Sequence, residues 1–269
     1  MIYQVFAPSP QLAPYVRFFW ALEVDVTPGE EFVHRSMADG CVEIVFSYKG
    51  AFDEITPTSR IRSSTLASIQ AQTTRYRRYA TDESFGIFGA YLFPFALPKL
   101  FSYPAYDFTN AATDLESVIG VNGRELDERM MTAENNERRV EIASEFLLAR
   151  LKTSTRELPL THLAVHSMLR ANGNVNIASM ARDHAVSTRQ FERRFKEMAG
   201  LPPKLYSRVV RFQSATEHKL SGTRNLTDIA YACGYYDQSH FINDFREFSG
   251  YAPKEYFWNN AEGTQYMNV

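Results

Sequence analysis

"CGYYDQSHFINDFREFSGYAPKEY", residues 233–256, is rich in aromatic side chains and closes on a Gly-x-x-Pro-Lys-x-Tyr phrase. The phrase already stands in "AVSTRQFERRFKEMAGLPPKLY", residues 185–206. Phe191, Phe195, Gly200, Pro203, Lys204 and Tyr206 each precede Phe241, Phe245, Gly250, Pro253, Lys254 and Tyr256 by 50 positions. Upstream the offset is 49, Ala181 answering Ala230 and Ala185 answering Gly234, so the second copy carries one added residue between Gly234 and Phe241.

Each copy predicts two helices joined by a tight turn. In the first, Asn176 caps one helix, the chain turns at Ala185 and Val186, and Ser187 caps a second helix with Phe191, Phe195 and Met198 facing inward at i, i+4, i+7. Thr188 starts that helix, and Arg189, Glu192, Arg193 and Lys196 form its opposite face. In the second copy the first helix opens near Thr227, Gly234 turns the chain and Asp237 caps a helix that buries Phe241, Phe245 and Phe248. Its outward face carries Gln238, Ser239, Asn243 and Arg246. A polar stripe by itself fits any solvated helix, but guanidinium and amide groups recurring after equivalent turns suit guanine and adenine edges in a major groove.

On "IASMARDHAVSTRQFERRFKEMAGLPPKLYSRVVRFQSA" (177–215) and "LTDIAYACGYYDQSHFINDFREFSGYAPKEY" (226–256), residues 160–257 resemble the tandem helix-turn-helix DNA-binding domain of the AraC/XylS family of bacterial transcription regulators. The resemblance implies a long joining helix from about Pro203 to Leu220, ~27 Å at 1.5 Å per residue. It places base-reading residues at Arg189, Glu192 and Arg193, and at Gln238, Ser239 and Asn243. Ile242 and Phe257 depart from the family pattern, which has a polar and a basic residue there. "PYVRFFWALEVD" and "HRSMADGCVEIVFSY" are similar to a β-rich N-terminal domain of some AraC-type regulators.

The remaining chain reads as α+β: a β-rich region with helical connectors at 1–152, a linker at 153–159, an all-α tandem helix-turn-helix domain at 160–257 and a tail at 258–269. Residues 15–26, 41–48, 73–80 and 84–93 carry β-branched and aromatic runs broken by turn residues. Helix texture follows at 96–101, at "DLESVIG" and from about 124 to 152. There Val140, Ala143, Phe146, Leu147 and Leu151 make an apolar stripe that fits either its own domain or a dimer seam.

With 45% hydrophobic and 14% aromatic residues among 269, the chain has apolar surface for real cores. No signal peptide or membrane span is expected: the longest uncharged runs, residues 1–16 and 84–98, are broken by prolines and fall short of the ~20 residues that a span needs. Cys41 and Cys233 match no metal spacing and fit a reducing compartment, so a cytoplasmic location is expected. Residues 1–156 hold 16 Lys+Arg against 20 Asp+Glu, and residues 157–269 hold 13 against 11, a sign change that points the C-terminal part weakly toward a polyanion.

His162 and His166 stand i, i+4 but lack a third ligand, so a packed helix face is expected and no metal. His240 reads as a capping or packing residue. Arg75, Arg77 and Arg78 fit a bound anion, an internal carboxylate or, the reading favoured, simple exposure. The acid pairs Glu30-Glu31, Asp53-Glu54 and Asp82-Glu83 read as solvated charge, and no nucleotide loop or nucleophile motif is present, so neither enzyme activity nor a cofactor is expected. Phe18, Phe19, Trp20, Phe46, Tyr48, Tyr91 and Phe93 are candidate linings of an apolar pocket. The expectation is a sequence-specific DNA-binding transcription regulator. Double-stranded DNA is its expected partner; a small-molecule effector, RNA polymerase and a second copy of the chain are candidates. The rivals are a ligand-free dimerisation or partner module at residues 1–152 and, least favoured, an enzyme fused to a DNA-binding head.

Overall fold

A computed structural model describes residues 1–62, 65–158, 162–217, 225–258 and 261. Strands come first: β1 Ile2–Phe6, β2 Val16–Val24, β3 Phe32–Ser36, β4 Val42–Lys49, β5 Asp53–Ile55, β6 Arg60–Arg62, β7 Ala67–Gln70, β8 Arg77–Thr81 and β9 Phe85–Leu92. Then come α1 Ala96–Phe101, a 3₁₀ turn at Ala105–Phe108, β10 Ala112–Asp114, α2 Leu115–Ile119, α3 Val121–Met131 and α4 Asn136–Thr153. The head that follows is helical: α5 His162–Arg170, α6 Ile177–Asp183, α7 Thr188–Ala199, α8 Pro203–Glu217, α9 Leu226–Ala232, α10 Gln238–Ser249 and α11 Pro253–Trp258. The β-rich region with helical connectors and the all-α head are as read from the sequence.

The strands make two sheets, ordered β1-β2-β9-β4-β7-β10 and β3-β8-β5-β6. Side chains alternate across a strand, so each strand of the larger sheet serves two layers. Phe19, Ala21, Ile44, Phe46, Phe88 and Ala90 point to one face and are buried with Leu97, Leu126, Ile142 and Leu147 of the connectors. Phe18, Trp20, Glu43, Val45 and Tyr91 point to the other face, toward Phe32, His34 and Tyr79 of the smaller sheet, across a cavity.

The stripe on α4 meets the first of its two alternatives. Ala143 and Leu147 are buried, and Val140, Phe146 and Leu151 pack on the same sheet-and-helix core. The single helix expected over 124–152 is two, because Asn135 Oδ1 accepts from Arg138 N at 2.8 Å and starts α4 afresh. The strand expected at 73–80 begins only at Arg77. Arg77 is not simply exposed: its guanidinium meets Glu54 twice at 2.8 Å, the internal-carboxylate reading, whereas Arg75 is exposed.

In the head, Phe191, Phe195, Phe212, Phe241, Phe245, Phe248 and Tyr206 form one buried cluster, which Ala38 and Phe95 of the β-rich region join. His162 and His166 lie edge-on to Phe95 at 5.5 and 5.3 Å, ring packing that fits the face expected of them. The joining helix is described to Glu217; its expected end at Leu220 lies outside the described residues, as do 159–161 at the linker and 259–260 and 262–269 of the tail.

Candidate functional site

Both helix-turn-helix units are built by side-chain caps and left-handed turns. Asn176 Oδ1 takes Ser179 N at 2.9 Å to start α6, and the chain turns at Ala185, whose φ is 52°. Ser187 and Gln190 then close a reciprocal capping box on α7. The Ser-x-x-Gln spacing was in the sequence, but Gln190 was not singled out. In the second unit α9 opens at Leu226, beside Thr227, and its cap is Asn225, whose Oδ1 accepts from Asp228 N at 2.9 Å. Gly234 turns with φ 74°, and Asp237 Oδ1 takes His240 N at 2.7 Å to open α10. The added residue falls in the turn, where Tyr235 is buried against Phe241 and Tyr236 is 88% exposed beside the recognition helix.

Thr188, Arg189, Glu192, Arg193 and Lys196 are all exposed on α7, and Gln238, Ser239, Asn243 and Arg246 are all exposed on α10. Their buried counterparts Phe191, Phe195 and Phe241, Phe245, Phe248 lie on the opposite faces. Ile242 is half-buried on the head's apolar core. Asp244 is 1% exposed and bound by Arg208 at 2.7 Å. Phe257 packs against Phe245 at 5.4 Å, which occupies the position in the core. Lys196 Nζ lies 5.7 Å from the Tyr106 ring, so the end of α7 also faces the β-rich region.

That region touches equivalent points of the two repeats. Gly200 and Gly250 end α7 and α10 with φ of 77° and 73°. A Cβ on Gly200 would meet Gln72 Oε1 at 2.5 Å, and one on Gly250 would meet the Tyr76 ring at 2.4 Å. A single stretch, residues 72–76, thus presses on both units. Segment 37–41, which joins β3 to β4, touches α8 and α10. Ala38 N donates to Phe248 O at 3.1 Å, Gln213 Nε2 of α8 donates to Ala38 O at 2.5 Å, and Gly40 lies under the Tyr206 ring.

The cavity, about 360 Å³, opens behind that segment. Phe18, Trp20 and Tyr91 line it as expected. Phe19 and Phe46 do not, because alternation turns them under the connectors; Tyr48 lies under Arg139 at 3.6 Å, and Phe93 stacks on Phe95 at 5.5 Å. The polar lining was missed, since isolated Asp39 and Glu43 resemble ordinary strand-end charges in sequence. Asp39 Oδ2 accepts from Tyr91 Oη at 2.5 Å, and Glu43 Oε1 accepts from Trp20 Nε1 at 3.1 Å. Burial, then the charge of Asp39, pushes the Glu43 carboxyl up to about 8, and burial also raises Asp39. Burial pulls His34 down to about 4, leaving it neutral. Among the described residues no group of three or more His, Cys, Asp or Glu is placed to hold a metal, and no helix is long and apolar enough to cross a membrane.

Family models match the two parts separately. Residues 4–114 match DUF6597, a domain of unknown function, and residues 180–258 match a helix-turn-helix domain. The HTH-type transcriptional activator RhaS of Escherichia coli strain SE11 is 32% identical over 81 residues, 30% of this chain and 29% of RhaS, so the chain spans less than a third of the length of the curated relatives it matches. ToxT from Vibrio cholerae O395 shares 14% identity, with 89% of this chain and 97% of that chain covered, at a TM-score of 0.47. A transcriptional regulator with an AraC-type DNA-binding domain from Chromobacterium violaceum shares 27% identity over 35% of this chain and 85% of its own, at a TM-score of 0.33. The repeat, its caps, its exposed polar faces and the match at 180–258 lead to one conclusion: residues 180–258 form a helix-turn-helix domain of the AraC type, the kind that DNA-binding transcription regulators carry.

Proposed function

We propose that the chain is a sequence-specific regulator whose DNA affinity is set by a small molecule held between its two sheets. Residues 1–152 sense, 153–159 connect and 160–257 read. Arg189, Glu192 and Arg193 on α7, and Gln238, Ser239 and Asn243 on α10, meet base edges in successive major grooves; Thr188, Lys196 and Arg246 meet the backbone.

The observation that carries this reading is the alternation at 37–41. Asp39 lines the cavity, while Ala38 and Gly40 on either side of it touch α8 and α10. A ligand that moves Asp39 therefore moves the contacts that fix both reading units. It can shift the head only by as much as its affinity differs between the two arrangements. The test is selection of binding sites from random DNA by the full chain, followed by titration of the selected site with and without small molecules. Enrichment of one motif and an affinity that a cavity-bound compound changes are expected; no enriched motif, or compounds that bind without changing DNA affinity, would contradict it.

A further inference from the structure

We propose that the cavity binds a small organic cation, a protonated amine on an apolar body, with its N–H groups directed to Glu43 and Asp39 and its body held among Phe18, Trp20 and Tyr91. The proposal rests on the reading that the cavity takes an effector, and it names the chemical class.

Three features of the wall carry it. The first is acidity at one spot. Glu43 lies in register between Tyr91 of β9 and Gln70 of β7, on the cavity side. Its Oε1 takes the Trp20 indole N–H, and no second donor reaches it among the described residues. Asp39 is held on the same wall by Tyr91 Oη at 2.5 Å and Cys41 N at 3.0 Å. An anionic ligand would oppose ionisation of both carboxyls, whereas a cation favours both carboxylates.

The second feature is aromatic. Phe18 stacks on Tyr91 at 4.8 Å and 14°, and Tyr3 approaches Trp20 at 6.5 Å. Ring faces beside a carboxylate attract an ammonium through its charge and an apolar body through its surface. The third is where the basic groups point. His34 is neutral, and the Arg35 guanidinium lies 3.8 Å over the Tyr251 ring and 5.1 Å from that of Tyr76. Its charge is turned toward those rings.

Binding has a proton balance. In the empty cavity Glu43 is mostly protonated at neutral pH. An ammonium that docks against it favours the carboxylate, so the Glu43 proton leaves to solvent as the ion pair forms. Affinity should then rise up to about tenfold per pH unit as pH approaches 8 from below. Asp39, Tyr91, Tyr3 and Tyr79 are the titratable neighbours of Glu43, with His34 and Arg35 on the cavity wall; Arg17, 5.4 Å from the Tyr91 ring, is the cation that acts on Asp39.

The experiment uses the full chain and three matched sets of probes, each set sharing one body (benzyl, phenethyl or hexyl) and differing only in its head: ammonium, hydroxyl or carboxylate. Calorimetry measures binding to wild type, Glu43→Gln and Glu43→Asp between pH 6 and 8. Ammonium probes should bind at least ~tenfold tighter than the matched alcohols, gain affinity with pH, and lose that advantage in Glu43→Gln but not in Glu43→Asp. Carboxylates or alcohols binding as tightly as amines would overturn the cation and leave the effector reading standing. No binding by any head group on any body would overturn both. Should Glu43→Gln fail to fold, the pH dependence on wild type decides, and a flat profile overturns the proposal.

Discussion

Trp20 Nε1 donates to Glu43 Oε1 at 3.1 Å across the whole width of an intervening strand. β2 and β4 are both paired to β9, and Trp20 stands opposite Gly89, which stands opposite Val45. The indole crosses because nothing projects there: a Cβ on Gly89 would lie 2.3 Å from its Cε2 and Nε1. Gly89→Ala should displace the ring and cost ~1–3 kcal/mol. In a Trp20→Leu background the same change should cost less, and urea midpoints of the four proteins check this; equal costs in both backgrounds would mean that the glycine serves something other than the indole.

The bond holds a carboxyl whose titration is displaced upward, and the sign of the effect on stability follows. A folded-state value of about 8 lies above the unfolded one, so the folded chain keeps a proton that the unfolded chain releases. The resulting stabilisation is complete below the unfolded value and is lost as pH rises toward 8, at up to ~1.4 kcal/mol per pH unit. Glu43→Gln should flatten this segment of the stability profile between pH 5 and 8. An unchanged slope would place the Glu43 proton elsewhere.

Residues 72–76 and the two repeat-ending glycines make an interface that a double-mutant cycle can measure. Gly250→Ala carries a backbone cost of roughly 1–2 kcal/mol for its left-handed conformation, plus the collision with Tyr76. Tyr76→Ala should remove the second part only, leaving a coupling of about 1 kcal/mol or more. A coupling near zero would mean that the β-rich region does not press on the second unit in solution.

The reading faces differ in chemistry, and so should their variants. Arg193→Ala should cost ~1–3 kcal/mol and relax preference at one guanine, because the bidentate contacts to O6 and N7 proposed for it would be lost. Lys196→Ala should weaken all sequences alike and lower the salt slope by about one. Asn243→Ala should cost less than Arg193→Ala. Titrations against single-base variants at two salt concentrations separate these outcomes; equal losses with unchanged base preference would mean that both faces touch only phosphate.

The head was legible because its signals are local. Phe191 to Phe195 and Phe241 to Phe245 are helical spacings, and Ser187 and Asp237 cap within three residues of what they bind. The surroundings of Ile242 and Asp244 are not local: Ile242 meets the head's core and Asp244 meets Arg208 on α8. The cavity was half legible. A strand's alternation separates Trp20 from Phe19, but which face meets a second sheet depends on pairing β3 with β8, and those strands are short and irregular in sequence. Gln213 meeting Ala38 spans 175 positions and leaves no local trace.

One chain carries both proposed reading helices, α7 and α10, with α8 between them. They should enter successive major grooves ~34 Å apart on one face of the duplex. The direct measurement is a hydroxyl-radical footprint of the full chain on its selected site, with stoichiometry from sedimentation of the complex. One chain protecting an asymmetric site in two adjacent major grooves is the expected result; protection of a palindrome by an obligate pair of chains, each covering a single groove, would contradict it.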